Sequence, residues 1–427
     1  MLKLQHTLFT LFFFANVFVN AQDYYSLRNN IDSIVYDAIN AKAFPGCVVY
    51  ASKGDSVFFL KSYGFHTYDS SRRVAVNDIY DLASVTKVVG GTLAMMKLYE
   101  DGHYNLDDPI GNYIDKIGRR VGEVTFREAL AHQGGLYPWI PYHLESRKKN
   151  GEFRSKTVSN SLDKDYNFPL TDSLYLHNDF YSKVKKMIRK SEVKKEKQYR
   201  YSGLFFYLIP ELVESLTDTS YQDYLQIHFY DPLGTETLTF NPLDKFEMEQ
   251  IVPTEIDTFF RMTPIHGKVH DEGAIMMRGI SGNAGLFSNA SDLGKVFQML
   301  TNDGLNDTLQ LLSPQTIQLF TTAQYPNNEN RRGLGFDKPL LRYDSLTSSV
   351  AKDVSFRSFG HTGYTGTLAW ADPENDLVFI FLSNRVYPTR LQRALYELNV
   401  RPTIHQLLYD YFKVNLNENE DPVVKAK

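Results

Sequence analysis

The stretch that most constrains this chain is Asp81-Leu-Ala-Ser84-Val-Thr-Lys87, which runs directly into Val88-Val-Gly-Gly-Thr-Leu-Ala-Met-Met-Lys-Leu98. Ten small and apolar residues interrupted only by Lys97 read as a helix buried inside a domain, so the rest of the chain must fold around it. At the start of that helix a hydroxyl and an amine stand three residues apart. On an α-helix this spacing puts both on one face, beside the free backbone N–H groups of the first turn.

Ser-x-x-Lys by itself carries little information. It occurs six times here, beginning at Ser84, Ser146, Ser161, Ser182, Ser191 and Ser349. Five of these lie in charged, polar stretches and read as solvated faces. Only Ser84 introduces an apolar run. A serine attacks a carbonyl only with a base within hydrogen-bond reach and with donors for the oxyanion that forms. Ser84 and Lys87 are therefore the candidate pair.

With 427 residues the chain can bury a large core, as one large domain or two interleaved ones. A formal charge of −4 and the absence of any nucleic-acid motif argue against a nucleic-acid partner. Residues 1–21 have a short region with Lys3, an apolar stretch from Leu8 to Val19 and the small-residue site Val19-Asn-Ala21, which together read as a cleavable signal peptide. The apolar stretch is shorter than the roughly 20 residues a bilayer span needs; the alternative is an N-terminal anchor. The expectation is an exported protein, periplasmic or secreted, beginning near Gln22 with no stable membrane span. The sole cysteine, Cys47, excludes an internal disulfide and every multi-cysteine metal site, and reads as a buried strand residue.

Along the chain, Ile31, Ile34, Val35, Ala38 and Ile39 form one helical face. Cys47–Ser52 and Ser56–Tyr63 read as strands joined by the hairpin signal Lys53-Gly-Asp55. Val124–His132 and Glu211–Phe229 read as helical, Gly279–Gly285 as a Gly-rich loop and Ser291–Leu300 as a helix. Strand character returns at Gly333–Phe336, Phe356–His361, Thr367–Ala371 and Leu377–Ser383, before a helix from about Thr389 to Phe412 and a polar, frayed tail. Residues 141–200 are irregular and hold 15 Lys or Arg against 8 Asp or Glu. They are either a solvated insertion or a basic rim that attracts an anionic substrate or polymer. Strands from both ends around a helical middle predict an α/β (α+β) fold: one sheet built from both termini, flanked by helices, with an inserted mainly helical domain. The expected division is an α/β lobe at about 28–95 and 330–412, and a helical lobe at about 96–329 that contains the basic insertion 141–200. A ligand site is expected between the lobes.

The order of Ser84-x-x-Lys87, Tyr201-Ser-Gly203 and His361-Thr-Gly363 resembles the serine β-lactamase and penicillin-binding-protein superfamily, in its class C-like branch with esterases and D-aminopeptidases. The resemblance runs from about Ile31 to Leu408. It is supported by Leu130–Leu136, Gly285-Leu-Phe-Ser288, Gly333-Leu-Gly-Phe336 and Ser383-Asn-Arg385. Val269-His-Asp-Glu272 and Tyr199–Leu204 are similar to the β-lactamase-like module fused to family 3 glycosidases, although no glycosidase domain is present. The resemblance implies a β-lactamase/transpeptidase-like fold, its antiparallel sheet flanked by helices, and a serine hydrolase that needs no metal or organic cofactor. It implies that Ser84 is acylated, that Lys87 holds or takes its proton, and that Tyr201, opening a helix, is the base or proton shuttle. Tyr199 competes for that last role. The oxyanion donors would be the backbone N–H groups of Ser84 and Tyr364, and His361, Gly363, Tyr364 and Gly203 would line the substrate.

Two departures from the β-lactamase pattern bear on substrate. His361 stands where that branch has a Lys, and a His can be neutral where a Lys is a fixed cation for a substrate carboxylate. Gly203 stands where an Asn would reach the substrate's amide. Both favour an esterase, or an amidase or peptidase acting on D-amino-acid or peptidoglycan-derived material, over an efficient β-lactamase. Two other readings stand beside this one: a non-catalytic penicillin-binding-like sensor, and metal ligation by His266 and His270. The loop setting of that histidine pair argues against the helix an i, i+4 zinc pair needs.

Overall fold

The computed structural model describes residues 22–419, so residues 1–21, where the sequence leads one to expect a signal peptide, and the end of the polar tail lie outside the described residues. The chain divides into two compact units. One comprises residues up to Ala43, Tyr343–Val354 and Arg393 onward; the other comprises Phe44–Arg342 and Ser355–Gln392.

In the first unit, helix α1 (22–40) buries Leu27, Ile31, Val35 and Ala38, the face the sequence periodicity predicts. The C-terminal helix begins later than the sequence suggests. A short turn, Ala394–Glu397, ends at Asn399 with φ 49°, and the long helix runs over Val400–Asn419.

The second unit is built on a five-stranded antiparallel sheet. Its strands are β1 (Gly46–Lys53), β2 (Ser56–Gly64), β3 (Phe359–Thr362), β4 (Leu368–Asp372) and β5 (Leu377–Ser383), in the order β3-β4-β5-β1-β2. Strands from the two ends of the sequence meet at its centre, where Cys47 opposes Ser383 and Lys53 opposes Leu377. The Leu-Val-Phe-Ile-Phe-Leu-Ser run of β5 is buried throughout, as a strand covered on both faces must be, whereas β2 at the edge buries Phe59 and Tyr63 and leaves its other residues partly or fully exposed. The β1–β2 hairpin turns where Gly54 takes φ 55°. Cys47 is fully buried in β1, and burial raises its thiol pKa.

Helix α2 (Leu93–Glu100) is the end of the buried run after Ser84. Helices α3 (Tyr181–Lys190), α4 (Ile209–Thr217) and α5 (Ala290–Thr301) follow. Helix α5 is capped by Asn289, whose Oδ1 accepts from Asp292 N at 2.8 Å. It packs on β1, β4 and β5, and Gly294 admits the Tyr50 ring: a Cβ there would lie 2.6 Å from Tyr50 Oη.

Several elements differ from expectation. The Glu211–Phe229 helix is broken by Asp218 in the left-handed region (φ 53°) into α4 and a second helix, Tyr221–Leu225, that ends in the π-turn Gln226–Tyr230. The Val124–His132 segment is helical only over Phe126–Leu130, behind a capping box of Thr125 and Glu128. Gly333–Phe336 is not a strand; Gly335 turns with φ 83° against Thr92, and only Asp337 bridges to Gly360. Residues 141–200 hold α3 and three short strands amid irregular backbone.

Candidate active site

The helix that carries Ser84 and Lys87 does not begin as an α-helix. Ala83–Val85 form a 3₁₀ turn and Lys87–Thr92 a π-helical turn, and regular α-helix starts only at Leu93. Wide π-turns accommodate Gly90 and Gly91 close to neighbours; a Cβ on Gly91 would lie 2.9 Å from the Gly282 carbonyl. Ala83 itself has φ 47°, a conformation that costs a non-glycine residue about 1 kcal/mol or more. The surroundings hold it there. Asp81 Oδ1 accepts from Ala83 N (2.8 Å) and its Oδ2 from His270 N (2.7 Å), while Thr365 and Thr367 donate to the carbonyls of Asp81 (2.8 Å) and Leu82 (3.0 Å). Burial pushes the Asp81 carboxyl pKa up, against the pull of those two N–H groups.

On this support Lys87, 1 % exposed, donates from Nζ to Ser84 Oγ (3.0 Å) and to the carbonyl of Asn283 (3.0 Å). Its Nζ also faces the rings of Tyr201 (5.4 Å to the centroid) and Phe206 (5.6 Å). Ser84, Lys87, Tyr201, Gly203 and Tyr364 line one cavity of about 380 Å³. A larger cavity of about 770 Å³, beside Tyr181, Glu211 and Met276, does not include Ser84. We find no hydrogen bond from the N–H of Ser84 or of Tyr364 to a carbonyl among the described residues, so both remain free to donate.

Tyr201 does not open a helix. Residues 201–203 are irregular, Ser202 Oγ caps Leu204 N (3.2 Å), and a 3₁₀ turn at Phe206–Leu208 leads into α4 with Pro210 in its first turn. The Tyr201 ring is set by packing, 4.5 Å from the His132 ring and 6.0 Å from that of His361.

His361 lies behind Tyr201 rather than on the cavity wall, 3 % exposed on β3. Its Nδ1 meets the Thr362 carbonyl (2.7 Å), which can only accept, so Nδ1 carries the proton and Nε2 accepts from Arg332 Nη1 (3.2 Å). The ring is neutral: burial, then the charges of Arg332 and Lys87, lower its pKa to about 3. The fixed cation of this corner is instead Arg332, ion-paired with Asp337 (3.3 Å), its guanidinium 5.2 Å from the Tyr201 ring centroid. Gly363 also lies off the cavity, pressed onto the Ser84 turn. A Cβ there would lie 2.5 Å from the Leu82 carbonyl, so only glycine lets the end of β3 approach and bring Tyr364 to the cavity.

A pH expectation follows for His361. Its pKa is near 3 in the folded chain against an ordinary value of about 6.5, so the unfolded state takes up the proton first. The stabilising contribution is complete above about pH 6.5 and is lost as the pH falls toward 3, at up to about 1.4 kcal/mol per pH unit. Thermal melts from pH 7 to 4 should therefore fall less steeply for His361→Asn than for the wild type. Parallel curves would contradict this assignment.

The sequence reading did not select several cavity residues. Asn283, in the Gly-rich loop, holds Lys87 through its carbonyl and bonds Tyr207 Oη through Nδ2 (2.9 Å). Its Oδ1 fills the space beside Gly203, 2.3 Å from where a Cβ would be, so this amide occupies room that a side chain at 203 would need. Asp271, Glu272, Arg390 and Trp139 form another part of the wall. Arg390 bridges Glu272 (2.8 Å) and Glu255 (2.6 Å); burial opposes ionisation of Glu255, yet its bonds to His270 and Arg390 hold its carboxyl at about 2. His132, which lies in the Leu130–Leu136 match, is buried, and its pKa is lowered by burial and by the charges of Arg332 and Lys87. His266 and His270 face different partners, the Ile251 carbonyl and Glu255, and no group of metal-ligating side chains occurs among the described residues.

Comparison with known proteins bears on the fold and the family. Among curated relatives, an Escherichia coli O157:H7 protein named "Putative D-alanyl-D-alanine carboxypeptidase" is 29 % identical over 384 residues, covering 84 % of this chain and 82 % of the relative. Among solved structures, "EstCE1, a hydrolase with promiscuous acyltransferase activity" superposes with a TM-score of 0.64 at 16 % identity, over 90 % of this chain and 99 % of that one. A class C beta lactamase from Rhodobacter sphaeroides superposes with a TM-score of 0.61 at 16 % identity, over 91 % and 99 %. At those identities the two structures establish the fold, that of β-lactamases and transpeptidases. The family model described as Beta-lactamase matches residues 31–400, and this chain belongs to that family of serine hydrolases.

Proposed function

We propose that the chain is an exported serine hydrolase that works through an acyl-enzyme on an ester or amide, as a carboxylesterase or a D-amino-acid or peptidoglycan-type amidase or peptidase. The observation that carries this reading is the 3.0 Å approach of Lys87 Nζ to Ser84 Oγ beside Tyr201 in one cavity. Ser84 Oγ bonds to the substrate carbonyl carbon as its proton leaves for the Lys87–Tyr201 pair. The bond to the leaving group breaks as that pair delivers the proton to its oxygen or nitrogen. Water then repeats the sequence on the acyl-enzyme. The N–H groups of Ser84 and Tyr364 hold the oxyanion; Gly203 and Tyr364 border the substrate directly, and His361 and Gly363 act from behind.

The substrate class is supported by the carboxypeptidase-named relative and by the neutral state of His361. With no lysine cation in that place, and with Arg332 committed to Asp337, the grip on a β-lactam carboxylate is weak. Export rests on the character of residues 1–21; no helix among the described residues is long and apolar enough to cross a membrane. In this reading residues 22–427 act as one hydrolase after removal of the leader, with the α/β and helical lobes bounded as the sequence suggests.

A substrate panel tests the proposal. The kcat/KM for a short-chain p-nitrophenyl ester or a D-alanyl-D-alanine peptide should exceed that for a cephalosporin by about 100-fold or more, the scale of one charge-assisted contact. Cephalosporin turnover equal to that of the others would overturn the substrate assignment.

A further inference from the structure

The chain's small net charge conceals a segregation. Residues 141–200 carry 15 basic against 8 acidic side chains, so the remainder holds 31 against 42. The structure concentrates the excess. Helix α3 buries Val184 and Ile188 and turns Lys186, Arg189 and Lys190 outward, and Lys194 and Lys195 are exposed just beyond it. Their neighbours Lys185 and Lys197 are paired with Glu211 and Glu128, but these five have no carboxylate within ion-pair distance among the described residues. Two carboxylates, Glu192 and Glu196, lie in the same stretch. The Arg189 side chain crosses Gly118, 2.8 Å from where a Cβ would be, which joins the exposed Arg120 region to the strip.

This strip leads to the candidate active site along two paths. Val193 bridges to Leu136 and Lys194 N donates to the Gly135 carbonyl (2.9 Å), placing the cations beside the segment whose Pro138 and Trp139 line the Ser84 cavity. In the other direction the chain runs from Lys195 straight to Tyr201.

We propose that this strip is a docking surface for an anionic polymer that bears the scissile ester or amide, which deepens the hydrolase reading and rests on it. A row of unpaired cations matches repeated anions better than the single carboxylate of a small substrate. A lipid surface would call for apolar side chains to insert alongside the charges, and within 181–200 the exposed large hydrophobic side chain is Tyr199.

The test is inhibition of p-nitrophenyl ester hydrolysis by poly-γ-glutamate and by long-chain polyphosphate, at 20 and 200 mM NaCl, with a Lys186→Glu/Lys190→Glu/Lys194→Glu/Lys195→Glu variant beside the wild type. At least one polymer should inhibit the wild type, and which one does so identifies a carboxylate or a phosphate polymer. Its apparent Ki should rise about 10-fold or more with salt and by a similar factor in the variant, because screened surface charges carry the binding. Without polymer, variant and wild type should hydrolyse the ester within about twofold of one another, since none of the four lysines touches the cavity. Equal inhibition of both proteins, or none by either polymer, would overturn the proposal. So would variant-sensitive binding to phosphatidylglycerol vesicles without a polymer effect, which would assign the strip to a membrane surface. Calorimetric titration with the same polymers reads the surface even if the ester is not turned over, so failure of the docking surface and failure of the hydrolase reading remain distinct.

Discussion

Replacing Ser84 with alanine is expected to lower turnover of every accepted ester or amide by about 10⁴-fold or more, the scale seen when a catalytic serine is removed from other hydrolases. Stability should barely change. Ser84 is only half-buried, its hydroxyl is held by Lys87 alone among the side chains described, and its turn is fixed by Asp81, Thr365 and Thr367. A melting temperature within about 0.5 °C of the wild type corresponds to a fraction of a kcal/mol in a chain of this size. Steady-state assays with a p-nitrophenyl ester and a thermal melt check both halves. An active Ser84→Ala enzyme would remove the nucleophile assignment outright.

Lys87→Ala is expected to be nearly as severe in turnover, by about 10³-fold or more, and unlike Ser84→Ala it should also destabilise the fold. The amine is 99 % covered and holds the Asn283 carbonyl of the Gly-rich loop. Its loss leaves that buried acceptor unpaired, at about 1–3 kcal/mol, and a void where the stem lay. Lys87→Met separates the two effects, because it refills the volume without restoring the donor. The methionine variant should recover part of the stability and none of the activity. If either variant kept wild-type kcat, the proton would have to travel by another route, with His132 the nearest buried imidazole to Tyr201.

Local pattern made the sheet legible in advance. The apolar run Leu377–Leu382 and the strand-like run Ser56–Tyr63 both fall within strands of the sheet, and the early strands do pair with the late ones. The helix ends were less legible. Asp218 and Asn399 in left-handed conformations, and the π-turn after Ser84, answer to tertiary packing that no periodicity reveals. The motifs brought Ser84, Lys87, Tyr201 and Tyr364 into one cavity but mistook the place of His361, which accepts from Arg332 behind the wall. Arg332 abuts the Gly333-Leu-Gly-Phe336 match and Asn283 lies within the glycine loop, so the local signal was present. Their side chains acquire meaning only once residues far apart in the chain meet, Asn283 with Lys87 and Arg332 with His361.

Intact-protein mass spectrometry after exposure of residues 22–427 to a fluorophosphonate tests the central claim most directly, with Ser84→Ala treated in parallel. The prediction is a single covalent adduct on the wild type, mapped by peptide analysis to Ser84, and none on the variant. An adduct that persists in Ser84→Ala, or a wild type that remains unlabelled while hydrolysing esters, would contradict an acyl-enzyme formed at Ser84.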